Sequence, residues 1–497
     1  MSSLKKLAGH TMWYGVSSIF ARFLNYLLTP YLTSILATAA YGEMSMVYSY
    51  IPFLNVVFTY GLETAFFRFS NKDGDNKKVF NTISVSIISS TLLLTVLLFI
   101  GKDFFAHLLR LQNHPEFITW AAWIIALDTL STIPFAKLRF DCKPRKYALI
   151  RVLGILINIG FVIFFYSFLP KFAAQNPTSF LAKWYDPNLG AGYYILANLL
   201  QSALTLLLLT PQFFSFRFSI DKTLWKQIML YSLPIMVAGF GGMINETFDR
   251  IMLGWLAPVG SLNDAKIQVG IYSACYKLSI LITLFIQAFR MGAEPFFFQQ
   301  AQGEGAPKTY ARVMDYFVMT ICFMFLAVML YMDIWKHFIA AKMWGGLVVV
   351  PILLVANMCL GVYYNLSIWY KLSHNTSAGA TITFMGAAIT LIINFAFIPI
   401  YGYLACAWAT LACYASMMLL SYFWGQRVYP VPYNTNKLLK NFGFMMLLYV
   451  FHRTVVNHLA GITIHLLSGT VFLMMYIGYL LKNENLRQIP VVKKFIR

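Results

Sequence analysis

Long apolar runs separated by short polar stretches dominate this chain. Stretches 82–101, 149–169, 195–210, 313–332 and 462–481 are apolar nearly throughout. Most approach the ~20 residues that a helix needs to cross ~30 Å of hydrocarbon. They are continuous and do not alternate with a period of two, so they read as helices and not as barrel strands. Only those two architectures satisfy every backbone polar group in lipid. The pattern predicts an all-α integral membrane protein with about fourteen transmembrane helices. Their expected places are roughly 11–36, 43–67, 81–101, 117–136, 148–169, 190–211, 229–256, 267–292, 313–332, 346–370, 378–398, 403–424, 440–457 and 461–481. His452 and Arg453 interrupt the thirteenth. The first is expected to remain as a span and not to be a cleavable signal peptide. It is too long, carries Arg22 inside, and no small-residue cleavage site follows it.

A register of residues runs through these spans twice. Arg22, Pro30 and Gly42 recur as Arg250, Pro258 and Gly270, each 228 positions later. Asn158 in ILINIGFVIFF is matched by Asn394 in LIINFAFIPIY, and a Gly-led span follows each. The repetition divides the chain into 1–225 and 226–425, each with six expected spans. The remaining residues, 426–497, hold two additional helices and a basic tail. Six is even, so both repeats enter the membrane from the same side and are parallel. Repeats of this kind tend to place a substrate between them.

Composition agrees. Of 497 residues, 59% are hydrophobic and 11% charged, with a mean hydropathy of +0.66. Soluble domains are about a quarter charged. The net charge of +20 does not indicate a nucleic-acid partner, because of where the basic residues fall. With the amino terminus taken as cytoplasmic, the cytoplasmic side holds 27 Lys and Arg, the outer side 8, and the membrane interior 3. That asymmetry is the positive-inside rule, and with an even span count it puts both termini in the cytoplasm. The six cysteines lie in or beside spans and form neither a C-x-x-C nor a Cys/His cluster, so no metal site and no disulfide framework is indicated. The chain shows no P-loop, G-x-S-x-G or H-E-x-x-H, and no soluble domain, so an enzyme is not expected.

Ionisable groups inside spans are functional candidates by default. Arg22 cannot be deprotonated, so it must face water, a partner or an anion. It either lines a cavity and holds a phosphate, or pairs with Glu246 or Asp249. Arg250 occupies the matching place in the second repeat. Asp249 and Arg250 are neighbours, about 100° apart on a helix. Glu246 and Arg250 stand four apart and could form a lock. Glu246, Asp249 and Asp128 are alternatively sites for ion coupling. Lys277 is expected to bind an anionic headgroup, to pair with Asp249 or to snorkel outward. Pro30 and Pro258 either act as hinges or end their helices. Glu63 and Arg68 approach the inner surface as gate residues or as a solvated edge.

Several segments carry a family resemblance. Asp249-Arg-Ile-Met-Leu-Gly254 followed by Val269-Gly-Ile-Tyr-Ser-Ala-Cys-Tyr-Lys-Leu278 resembles the polysaccharide-transport family, part of the multidrug/oligosaccharidyl-lipid/polysaccharide exporter superfamily. So do Trp13-Tyr-Gly-Val-Ser-Ser18, Tyr41-Gly42, and Asn394 with Ile-Pro-Ile-Tyr-Gly402 and Ala407-Trp-Ala. The resemblance implies a V-shaped bundle of two six-helix lobes working by alternating access. It implies a flippase for an undecaprenyl-diphosphate-linked oligosaccharide in the bacterial inner membrane, serving O-antigen, capsule or exopolysaccharide synthesis. It further implies coupling to a proton or sodium gradient with no cofactor, and polysaccharide polymerase and other assembly proteins as partners. Arg22, Arg250 and Lys277 match the family's cavity cations. The alternatives are a cation-coupled exporter of small amphiphiles and a membrane glycosyltransferase on the same carrier.

Overall fold

The computed structural model describes residues 3–483 apart from 73–75, 215, 259, 302, 304, 374 and 456–460. The extreme ends of the chain, with the basic tail, lie outside the described residues. The described residues form helices and turns with no strand. Among them, eleven helical stretches are long and apolar enough to cross a membrane, and the chain is a multi-pass membrane protein.

In chain order the longer helices begin with α1 (Ser3–Ile35), α2 (Thr38–Thr59), α3 (Leu62–Lys72), α4 (Asn76–Ile100) and α5 (Glu116–Phe140). There follow α6 (Pro144–Ile163), α7 (Gly192–Leu209), α8 (Lys222–Leu256), α9 (Leu262–Gln300) and α10 (Ala306–Met329). The last are α11 (Val349–Leu366), α12 (Thr376–Tyr401), α13 (Tyr403–Val428), α14 (Thr435–Val455) and α15 (Ile462–Asn483). A π-helical turn at Phe164–Phe168 carries α6 onward to Gln175.

The second expected span, 43–67, is broken. Tyr60 adopts a left-handed φ of 30° and Gly61 a φ of 75°, and α3 starts afresh at Leu62. A side chain on Gly61 would lie 2.8 Å from the Ser232 carbonyl of α8, so only glycine permits this turn. The Tyr60 hydroxyl hydrogen-bonds Ser86 at 2.8 Å and receives Ser90 at 3.2 Å, fixing the break against α4.

The chain divides into two compact units, Met1–Lys277 with Ala380–Cys413, and Leu278–Gly379 with Tyr414–Arg497. In the first, α2, α3, α4, α5 and α8 pack around Leu62, Phe66, Phe80, Ile83, Ile133 and Ile228, all buried. The start of α8 is capped by Asp221, whose carboxylate accepts the Leu224 N–H at 2.8 Å and meets the Lys78 ammonium at 2.7 Å. Those two interactions hold the Asp221 carboxyl below the usual carboxylate range.

In the second unit, α10 packs against α11, α14 and α15. Lys437 of α14 reaches Asp315 of α10 at 3.0 Å, and Lys371 reaches Glu294 at 2.6 Å. The connection from α10 to α11 is tied to α15 through Asp333, which meets His465 at 2.8 Å and Lys336 at 2.6 Å. Burial alone would raise the Asp333 carboxyl, but the hydrogen bonds from Lys336 and His465 outweigh it and hold it low.

Two outcomes are expected. Gly61→Ala lowers stability by about 1–2 kcal/mol, the penalty for an L residue in the left-handed region, read as a lower thermal midpoint of the purified protein. The Asp333 carboxyl lies lower folded than unfolded, so its contribution is present above pH ~4 and lost as pH falls through the folded value. Asp333→Asn therefore lowers the thermal midpoint at neutral pH, and the gap from wild type closes on acidification. A gap independent of pH would show that the pairing with His465 and Lys336 is not what stabilises this corner.

Candidate functional site

The intramembrane charges of the first unit gather first around α8. Asp249 is buried, and its Oδ1 accepts both the Arg250 backbone N–H at 2.8 Å and the Arg250 Nη1 at 3.2 Å. Tyr272 of α9 donates its hydroxyl to Oδ2 at 2.6 Å. The Arg250 guanidinium lies 4.2 Å from the centre of the Tyr276 ring and donates to the Glu246 carbonyl at 3.1 Å. Two expectations change here. Although neighbours on a helix diverge by about 100°, the Arg250 side chain folds back over its own turn and reaches Asp249. Glu246 supplies its backbone oxygen and not its carboxylate, which stays exposed. Lys277, one residue beyond Tyr276, is partly buried and close enough to Arg250 for their charges to interact. It does not take Asp249, whose two oxygens are already engaged.

A second polar group lies among α1, α2, α5, α6 and α7. Asp128 of α5 hydrogen-bonds Ser202 of α7, with the Arg151 charge of α6 nearby. Tyr48 of α2 stands edge-on to Tyr194 of α7 at 5.2 Å, and Tyr194 shares hydrogen bonds with Asn25, Asn158 and Asn198. Asn158, one of the two matched asparagines, is thus a member of this network. Its counterpart Asn394 is fully buried, and neither amide atom has a hydrogen-bond partner among the described residues. Asn25 stands three residues after Arg22, on the same face of α1, and both are exposed. One face of α1 thus carries a guanidinium beside an amide that also reaches Tyr194.

The remaining candidates mark ends and bends. Glu63 pairs with Arg139. Arg68 stacks on Tyr231 with its guanidinium 4.2 Å from the ring centre. Pro30 sits inside α1, which continues to Ile35. Pro258 lies beyond the end of α8 at Leu256, in a bend, and so does not kink a helix. Among the described residues no three His, Cys, Asp or Glu side chains converge as a metal ion would require.

One constellation escaped the sequence reading. Helix α9 begins at Leu262, five residues before the expected span, and so takes in Lys266. Lys266 reaches Glu43 of α2 at 2.7 Å, and both side chains are buried, at 8% and 10% exposure. Beside this pair the two helices touch through glycine. A Cβ on Gly42 would overlap the Lys266 carbonyl, and a Cβ on Gly270 would overlap the Thr38 carbonyl. Thr38 and Lys266 are also 228 positions apart, so the crossing is self-complementary across the register. Nearby, Arg110 donates to the Gly254 carbonyl at 3.1 Å and Trp255 donates to the Leu108 carbonyl at 3.2 Å. The end of α8 and the start of α9 are thereby stitched to the first repeat. The repeated glycines were the available signal, since small residues spaced along helices permit close backbone approach in membranes.

The family described as polysaccharide biosynthesis protein matches residues 7–300. No curated protein matches the chain in sequence. Among solved structures, one titled lipid II flippase MurJ, inward closed conformation, shares the fold with a TM-score of 0.72 at 11% identity, over 95% of this chain and 99% of that one. An inward-facing multidrug resistance MATE family transporter of the MOP superfamily gives 0.59 at 15% identity, over 84% and 94%. A MATE structure in the straight conformation gives 0.57 at 14% identity, over 85% and 95%. At these identities the likeness concerns the fold.

Glu43→Ala strands the Lys266 ammonium in a buried place and is expected to destabilise the protein by about 3–5 kcal/mol. Replacing both partners by apolar residues of similar volume recovers most of that loss. Chemical unfolding of the two variants beside wild type checks this; equal losses in both would show that the packing, and not the stranded charge, sets the penalty.

Proposed function

We propose, for a chain that belongs to the polysaccharide biosynthesis protein family, that it moves a lipid-linked oligosaccharide across the bacterial inner membrane by alternating access. The substrate class is an undecaprenyl-diphosphate-linked oligosaccharide for O-antigen, capsule or exopolysaccharide. The observation that carries this reading is the crossing of α2 and α9. Helices that meet through glycine backbones and one buried ion pair can part without dismantling a large apolar core. Such a contact between matched repeat segments suits an end that opens and closes, and Gly42 and Gly270 are related by the same 228-residue step as Arg22 and Arg250.

Arg22, Arg250 and Lys277 supply cations for a diphosphate, which planar guanidinium donors grip through paired hydrogen bonds. Arg250 also neutralises Asp249, so its role is part binding and part structural. Asp128 and Glu246 are the coupling candidates for a proton or sodium gradient. Asp249, paired with Arg250, is the weaker one. Pro30 is the hinge candidate within a helix, and Glu63, paired with Arg139, is the gate candidate at the opposite end. The Lys and Arg asymmetry supports cytoplasmic termini. The chain acts as a transporter and not as an enzyme, with a polysaccharide polymerase and other assembly proteins as its partners. The MATE fold likeness supports a second reading, cation-coupled export of small amphiphiles.

The test is complementation of a flippase-null strain at matched membrane levels. Wild type is expected to restore surface polysaccharide. Arg22→Ala and Lys277→Ala are expected to lose it at matched membrane levels, whereas Arg250→Ala is expected to lose both surface polysaccharide and thermal stability, because it also strands Asp249. Restoration by all three variants would refute the cation assignment. Failure of wild type in its own deletion strain, with surface glycan unchanged, would favour small-amphiphile export.

A further inference from the structure

A cavity of about 210 Å3 opens in the second unit, at the connection between α10 and α11. It has two dissimilar walls. Met329, Leu330, Leu347 and Val348 form an apolar one. Lys336, His452 and Arg453 form a cationic and imidazole one, with Asp333 at its edge. The acid is already neutralised, because Lys336 and His465 occupy its two oxygens. Arg453 is exposed at the end of α14 and hydrogen-bonds the Tyr449 hydroxyl, and no carboxylate pairs with it among the described residues. Lys336 is held in place from the other side by the Trp344 ring, 5.0 Å away. His452 is buried, with Nε2 3.5 Å from the His465 carbonyl. Asp333 balances Lys336, so among the described residues the charge that this pocket leaves without a carboxylate is that of Arg453.

Size and setting narrow the ligand. Drug-sized pockets occupy roughly 300–1,000 Å3, so this cavity admits a headgroup and not an oligosaccharide. It lies at the ends of helices α10 and α14, where polar side chains of a membrane protein meet the headgroup layer. Beside it, Phe451 and Val455 of α14 and Ile464 and Leu467 of α15 are exposed apolar side chains. An apolar wall, a cationic wall and an adjoining greasy surface match an amphiphile with an anionic head.

We infer that this pocket binds the phosphate of an anionic phospholipid headgroup, with Arg453 and Lys336 as its charged contacts. Its lining residues all belong to the second unit, and none of them is assigned above to transport. Lipid bound there would brace α14 against the connection between α10 and α11.

The test uses the purified full-length protein, delipidated and followed by native mass spectrometry. The probes are phosphatidylglycerol, phosphatidylcholine and inorganic phosphate. Wild type is expected to retain one more phosphatidylglycerol than Arg453→Gln does, with affinity at that site roughly tenfold weaker in the variant, as for loss of one charge-assisted hydrogen bond. Arg453→Lys is expected to retain part of the affinity. Leu347→Trp fills the cavity without changing its charge and is expected to lose the same molecule, which keeps the test decisive if Arg453→Gln misfolds. Equal phosphatidylglycerol binding in wild type, Arg453→Gln and Leu347→Trp, or no preference over phosphatidylcholine, overturns the site. Inorganic phosphate bound as tightly as the lipid, and lost in Arg453→Gln, overturns the lipid assignment.

Discussion

Where α2 crosses α9, two backbones touch because neither Gly42 nor Gly270 carries a side chain. In lipid there is no hydrophobic force to press helices together, so close van der Waals approach and polar contacts must do so. The glycines supply the first and the Glu43–Lys266 pair supplies the second. A buried ion pair contributes little against a well-packed apolar substitute, but it strongly penalises any register that strands one charge. The crossing thus sets which residues of the two repeats face each other, and the Arg110 and Trp255 hydrogen bonds follow from that alignment.

The same economy of charge governs the interior. Asp249, Arg250, Tyr272 and Tyr276 form one closed group in which each ionised atom finds a neighbour of opposite charge, a hydroxyl or an aromatic face. Buried charges persist only when so satisfied. Lys277 stays outside this group, because both Asp249 oxygens are already taken. The tyrosines matter because they carry a hydrogen-bonding tip on an apolar body and so can enter a membrane helix without an unsatisfied group.

The second unit uses its polar residues at helix ends. Asp333 gathers His465 and Lys336, Asp315 takes Lys437, and Glu294 takes Lys371. The Asp333 and Asp315 contacts join α15 and α14 to α10 and its connection, and Glu294 ties α9 to the segment after α11. Asp333 also shapes the cationic pocket, since Lys336 and His465 engage the carboxylate at its edge.

Apolar run length and the constraint that lipid imposes on backbone polar groups were enough to establish an all-helical membrane protein. The 228-residue repeat of Arg22, Pro30 and Gly42 was visible without coordinates, because it is a property of order along the chain. The candidate charges were visible too, since an ionised side chain within an apolar run announces itself. Their partners were not. Hydropathy put Lys266 in a loop, and nothing local indicated that a helix starting five residues earlier would bury it against Glu43. Helical periodicity separated Asp249 from Arg250, whereas a flexible side chain joined them. The break at Tyr60 and Gly61 was hidden because the apolar pattern continues through it, and the close approach of the Ser232 backbone is what demands it. Chain chemistry thus settles which segments are helical and which residues are costly to bury, since those follow from transfer into lipid one residue at a time. Packing alone decides which of those residues meet, since contacts between positions more than two hundred apart depend on how helices cross.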